Sequence, residues 1–208
     1  MALESMGQEM VKIIVGEGEG VREFVLHRGL FMDKVMFFEK MFGGGFLESW
    51  TSSATLPEDN PEAFEVLAEW IYRSTIKSLR GKGRPKMLQA DLAISTVGLE
   101  EKYFIPELGD RAMTFLADIR RRSTPTMSQM STLYKNTHFD SNSRIYAART
   151  VVWALLNPEN HGVSSLSIQT ACQDSDLLLD AITESVTITI TGRQLYVLTR
   201  GRHEAAAN

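Results

Sequence analysis

The chain has little cysteine, no long apolar run and no excess of positive charge, and each absence narrows its possible functions. Cys172 is the one cysteine among 208 residues, which excludes an internal disulfide and favours a reducing, intracellular setting. No apolar stretch approaches the roughly 20 residues that a membrane-spanning helix needs. The first residues also lack the basic flank and apolar core of a secretory signal. We therefore expect a cytoplasmic or nuclear protein with no membrane partner.

The charge balance argues against a general nucleic-acid-binding protein. The chain has 22 Lys and Arg residues against 26 Asp and Glu residues, for a net charge of −4. Nucleic-acid binders usually carry a basic excess. Residues 77–86 form a basic stretch, but no aromatic residues that could stack on bases lie between its charges. Nucleic acid is therefore an unexpected partner, and this stretch is predicted to be an exposed loop.

Motifs for metal binding and catalysis are also lacking. None of the four histidines has HExxH spacing, and Cys172 belongs to no CxxC pair, so the sequence predicts no metal site, no cofactor and no catalytic residue. We expect a protein that is not an enzyme. The alternative is an enzyme with an unrecognised site in which Cys172 is the nucleophile and His138 or His161 the base, since such partners meet only in the fold.

A glycine run near the start invites comparison with a phosphate-binding loop. Gly16, Gly18 and Gly20 follow an apolar segment, but their spacing is GxGxG, acidic residues alternate with them, and no GK[ST] follows. A hairpin turn is the better interpretation, because glycine tolerates positive φ. His27, at the end of the returning strand, is expected to fix a strand-to-helix corner through its ring nitrogens.

The hydrophobic pattern predicts alternating strands and helices in the first 121 residues. Asn60 and Pro61 have the residue types of a helix start, as N-cap and first helical residue. The predicted strands cover residues 10–15, 22–26 and 54–56, and the predicted helices cover residues 30–42, 61–73, 87–101 and 106–121.

The last third is predicted to be mainly helical. Helices are expected over residues 128–134, 143–157 and 174–186, with a short strand or a frayed helix end at 187–191. The predicted organisation is therefore a domain at 8–122, a helical extension at 128–192 and a disordered tail at 200–208.

The order of these elements resembles the BTB/POZ domain, in the short form common in fungal proteins. The motifs that carry the resemblance are Val11-Lys12-Ile13-Ile14-Val15-Gly16, Phe24-Val25-Leu26-His27-Arg28, Phe37-Phe38-Glu39-Lys40-Met41-Phe42, Gly44-Gly45-Phe46-Leu47-Glu48-Ser49, Leu56-Pro57-Glu58-Asp59-Asn60-Pro61-Glu62-Ala63-Phe64 and Trp70-Ile71-Tyr72. The resemblance implies an α/β (α+β) fold, in which helices flank a small sheet, followed here by an all-helical extension.

The same resemblance implies a module for self-association and partner recruitment. Some members recruit a cullin scaffold of the third class for ubiquitin transfer, and these carry a hydrophobic-x-Glu motif after a glycine-rich corner. Phe46, Leu47 and Glu48 match that motif and are the expected partner-binding residues. A substrate adaptor for a cullin-type ubiquitin ligase is the sharpest expectation. The client, the oligomeric state and the roles of the extension and the basic loop stay open.

Overall fold

The computed structural model describes residues 7–81, 83–120, 126–156, 167, 169, 173 and 176–185. Its contacts divide the chain into two compact units, Met1–Pro125 and Thr126–Asn208. Cys172, His161, the segment 187–191 and the tail 200–208 lie outside the described residues.

The first unit contains a small mixed sheet. Its strands are β1 (Met10–Val15), β2 (Arg22–His27) and β3 (Ser53–Leu56), in the order β2-β1-β3. β1 is antiparallel to β2, with Val11 opposite Leu26, and parallel to β3, with Ile13 opposite Ala54. Alternate residues of β1 are buried, as expected for a strand with one face on the core. The glycine run is the predicted hairpin turn, and Gly16 takes a φ of +90°.

Six α-helices lie among the described residues of the first unit, so its fold is the expected α+β class. They are α1 (Arg28–Lys34), α2 (Met36–Gly43), α3 (Leu47–Thr51), α4 (Pro61–Arg73), α5 (Lys86–Tyr103) and α6 (Pro106–Arg120). α4 begins as predicted, because the Asn60 side chain accepts hydrogen bonds from the N–H groups of Glu62 (2.9 Å) and Ala63 (3.0 Å).

The prediction of one continuous helix over residues 30–42 was wrong. Val35 is extended, with φ −135° and ψ 104°, and separates α1 from α2. Its carbonyl accepts the N–H groups of Phe38 and Glu39, so it caps the second helix. The break allows Phe31 and Phe38 to stack at 4.0 Å between ring centroids. In a straight helix, residues seven apart lie about 10 Å apart along the axis, so the stack requires the break.

The basic segment after α4 is more ordered than a simple exposed loop. A 3₁₀ turn covers Lys77–Arg80, and the side chain of Leu79 is fully buried. Glu69 of α4 holds this turn, accepting hydrogen bonds from Thr75 Oγ1 (2.9 Å) and from the N–H groups of Lys77 (3.1 Å) and Ser78 (2.8 Å). The apolar residue within the basic run is what anchors it to the core.

The second unit is helical over its described residues. Its helices are α7 (Met127–Lys135) and α8 (Asn142–Leu156), and residues 176–185 are also helical. Thr126 and Gln129 form a capping box at the start of α7. The Tyr134 hydroxyl donates to Asp180 at 2.6 Å, which joins α7 to the helical segment 176–185. Over the part of the chain that the structure describes, no helix combines the length and apolar character needed to cross a bilayer.

Candidate interaction surface

Phe46 and Leu47 are exposed on the first unit. Phe46 directly precedes α3, and Leu47 is its first residue, with 59% and 74% of their surfaces accessible. Glu48 lies in the first turn of α3 and is partly exposed. The three residues selected from the sequence thus share one short helix and its N-terminal cap, at the surface.

The glycines before Phe46 allow its ring to fold back onto α2. A Cβ built on Gly44 would lie 2.9 Å from Cε2 of Phe46 and would also collide with the Lys40 carbonyl oxygen. Gly45 has a φ of +77°, which disfavours other residues. The ring therefore packs on the backbone of Gly44, while more than half of the residue's surface remains accessible.

Trp50 extends this exposed area and was missed from the sequence. It is 83% exposed and lies three residues after Leu47 on α3, a helix that buries none of its residues. A helix of five residues with no buried side chain gains little from its own packing. The available signal was the spacing of Phe46, Leu47 and Trp50, since residues three and four apart on a helix are neighbours.

The start of α2 adds two more apolar side chains. Met36 is 64% exposed, and Phe37 is at the border of exposure with its ring 4.8 Å from that of Tyr103. Gly44 directly follows α2 as its C-terminal cap and comes seven residues after Phe37, so the two positions lie on one side of the helix, about 10 Å apart along its axis. Because the Phe46 ring packs on Gly44, Phe37 and Phe46 lie on the same side of α2. We call Met36, Phe37, Phe46, Leu47 and Trp50 the apolar surface.

Phe104 is a further exposed aromatic residue of the first unit. It follows Tyr103, whose ring contacts Phe37, and it connects α5 to α6 with 86% of its surface accessible. Its φ of 55° and ψ of 60° place it in the left-handed region, which costs a bulky residue about 1 kcal/mol or more. Neither burial nor backbone preference accounts for a phenylalanine at this position.

His27 has the structural role that was predicted for it. Its Nδ1 lies 2.8 Å from the Tyr72 hydroxyl, and its backbone N–H donates to the same oxygen at 2.9 Å. The ring joins the end of β2 to α4 at the point where α1 begins. The histidine therefore fixes the strand-to-helix corner.

Two carboxyl groups of the first unit have shifted pKa values with structural causes. Burial, with repulsion from Glu101 and Asp110, raises the pKa of Glu100 to about 7. Burial alone would raise the pKa of Glu69, but the hydrogen bonds it accepts from Ser78, Thr75 and Lys77 outweigh this and lower it. Among the described residues, no group of three or more His, Cys, Asp or Glu side chains is placed to hold a metal ion. The alternative site at Cys172 falls in the part of the chain that is not described.

Comparison of the chain with models of protein families gave no match, and comparison with curated proteins gave none either.

Proposed function

We propose that this chain is a protein-interaction module of the BTB/POZ type that recruits a partner through the apolar surface. The observation that carries the proposal is the exposure of Phe46, Leu47 and Trp50 on a helix that buries nothing. Exposed apolar side chains that cluster on the surface mark interaction sites, whereas singly scattered ones do not. Aromatic residues are also the side chains that most often dominate binding energy at interfaces.

The proposed partner is a cullin-type scaffold of the third class, for which the chain would act as a substrate adaptor. In this arrangement Phe46 enters an apolar pocket of the scaffold, and Glu48 sets the orientation through a charged contact at the rim. The geometry supports this division of roles, since Phe46 packs against Gly44 while Glu48, the second residue of α3, is partly exposed.

Binding of the full chain to the N-terminal region of a third-class cullin tests the proposal directly, for example by calorimetry. Phe46→Ala is expected to weaken binding by about 30-fold, since removal of an interfacial anchor costs about 2 kcal/mol. Glu48→Ala is expected to weaken it less and to reduce its salt dependence. Glu19→Ala, in the hairpin turn away from α3, is the matched control and should bind normally.

Absence of binding at high protein concentration would reject the cullin as partner, as would binding that both variants leave unchanged. Light scattering of the full chain then separates recruitment of a different partner from self-association. If the apolar surface binds a second copy, the measured mass rises with concentration and falls to that of one chain in Trp50→Ala. A single-chain mass for both proteins assigns the surface to another protein.

A further inference from the structure

The sheet has an open edge at β2. Among the described residues, β2 has a strand neighbour only on the side of β1. The Arg28 N–H donates to the Glu9 carbonyl (2.8 Å), so Arg28 and Glu9 are a hydrogen-bonded pair between the two chain segments. This pair shows which residues of β2 direct their backbone groups toward β1. Because such bonds alternate along the strand, the N–H and C=O groups of Glu23 and Val25 point away from β1. Val25 is 53% exposed, so these backbone groups are within reach of another chain.

A groove lies along this edge, between β2 and α4. One side is formed by Arg22 and Phe24, on the face of β2 that packs against α4. The other side is one stripe of α4, whose members follow helical spacing: Glu65, Ala68, Glu69 and Tyr72. The volume of about 780 Å³ is within the range of ligand-binding clefts. A helix beside an open strand edge is an arrangement in which an extended peptide can add as a further strand.

Charged and polar side chains line both ends of the groove. At one end Arg22 pairs with Glu65 at 2.9 Å. At the other end, the Tyr72 hydroxyl accepts a hydrogen bond from the backbone N–H of His27. This N–H is therefore not free to pair with an added strand. The side chains of Arg73 and Lys77 line this second end, and both are exposed and form no ion pair or hydrogen bond with any described residue.

We infer that the groove between β2 and α4 binds an extended segment of a partner protein that pairs with β2 and carries an acidic side chain opposite Arg73 and Lys77. The six residues of β2 span about 20 Å, which a partner segment of similar length would cover. The two cations favour an acidic occupant, because the carboxylates that line the groove are already engaged: Glu69 with Thr75 and Ser78, and Glu65 with Arg22. This site is separate from the apolar surface, so the inference does not depend on the proposed function.

The test is selection of random ten-residue displayed peptides on the immobilised full chain, followed by anisotropy measurements with synthetic copies. Selected peptides are expected to be enriched in Asp or Glu. Arg73→Ala combined with Lys77→Ala should weaken binding at least about tenfold, as should raised salt. The matched control removes two exposed cations elsewhere, Lys40→Ala with Lys86→Ala, and should leave the affinity unchanged.

The backbone contact is tested separately. Val25→Pro removes a free-edge N–H, and proline is tolerated on edge strands, whereas Val25→Thr keeps the donor. The proline variant should weaken binding at least about tenfold and the threonine variant should not. Peptides with N-methyl groups on alternate residues test the same bonds on the wild-type chain, should Val25→Pro fail to fold.

Three results would overturn the inference. The first is a selection that yields no peptide binding above a blank surface. The second is binding that neither the cation variant nor N-methylation weakens. The third is binding that is lost in Phe46→Ala or Trp50→Ala but kept in the groove variants, which would place the peptide on the apolar surface. Failure of cullin binding, by contrast, would not change the outcome of the peptide selection, the cation variants or the backbone test.

Discussion

Asp59 is a deeply buried carboxylate of the first unit. Its side chain is 4% exposed. It accepts a hydrogen bond from the ammonium of Lys102 at 2.7 Å and another from the hydroxyl of Tyr103. Burial, followed by the hydrogen bond to this carboxylate, raises the pKa of Tyr103 above its ordinary value. The contact joins the turn before α4 to the end of α5, so it fixes the residues on which Phe37 packs.

Replacement of Asp59 should therefore destabilise the fold in a graded way. Asp59→Ala leaves a buried hydroxyl without an acceptor and is expected to lower the free energy of unfolding by about 3 kcal/mol. Asp59→Asn keeps an acceptor and should cost about 1 kcal/mol. Urea unfolding measures both values. Equal losses in the two variants would show that the hydroxyl contact contributes little.

Glu100 predicts a dependence of stability on pH. Its pKa is raised in the folded protein from 4.5 to about 7, so the folded state binds more protons than the unfolded state between these values. Stability should accordingly be highest at and below about pH 4.5, as far as this group is concerned, and fall as pH rises to about 7. For a group still partly in solvent we expect a loss on the order of 1–2 kcal/mol.

Glu100→Gln should remove this slope and stabilise the chain at pH 8. The measurement is a series of urea midpoints between pH 5 and pH 8 for both proteins. Glu39→Gln, an exposed carboxyl on α2, is the control and should keep the wild-type slope. A wild-type slope in Glu100→Gln would assign the pH dependence to another group.

At the scale of elements, Glu69 connects α4 to the 3₁₀ turn that follows it. Glu69→Ala leaves two backbone N–H groups and two hydroxyls without their acceptor and is expected to cost about 2 kcal/mol. Hydrogen exchange at Lys77 and Ser78 should accelerate more than exchange in α5. Glu65→Ala removes a surface ion pair on the same helix and should change stability by less than about 1 kcal/mol. Uniform acceleration across the unit would contradict a local anchoring role.

Elements with strong local signals were predictable from the sequence. β1 followed from its β-branched residues, β2 from its position directly after the glycine turn, and α4 from Asn60 and Pro61 at its start. The break at Val35 was not, because the apolar spacing across it still has the helical period and the cause is a stacking contact between Phe31 and Phe38. α3 was missed because none of its five residues is buried, so the sequence carries no pattern of burial there.

Only part of the candidate surface was predictable from the sequence. Phe46, Leu47 and Glu48 form a contiguous motif, so sequence reading could select them. The contact of Phe37 with Tyr103 could not be predicted, because the two residues lie far apart in the chain and meet only in the fold. The groove at β2 depends on which strand is at the edge of the sheet, and that order requires the position of β3.

For the whole molecule, the first unit should fold without the second. Its core contains β1 to β3 and α1 to α6, and both proposed binding surfaces lie within it. A fragment of residues 1–125 is expected to unfold in one cooperative transition and to keep the affinities of the full chain for the cullin region and the selected peptides. Circular dichroism during urea titration tests the folding. A broad, non-cooperative transition would show that the second unit is required.

The parallel pairing of β1 with β3 also sets the order in which the chain can fold. Ile13 meets Phe24 across a short turn, whereas it meets Ala54 only after α1, α2 and α3 have brought β3 back to the sheet. The hairpin can thus form early, while closure of the sheet must await the helices, because long-range contacts close large loops. Mutations in β3 should consequently slow folding less than they accelerate unfolding. During synthesis, the β1–β2 hairpin would expose both of its edges until residue 56 has left the ribosome.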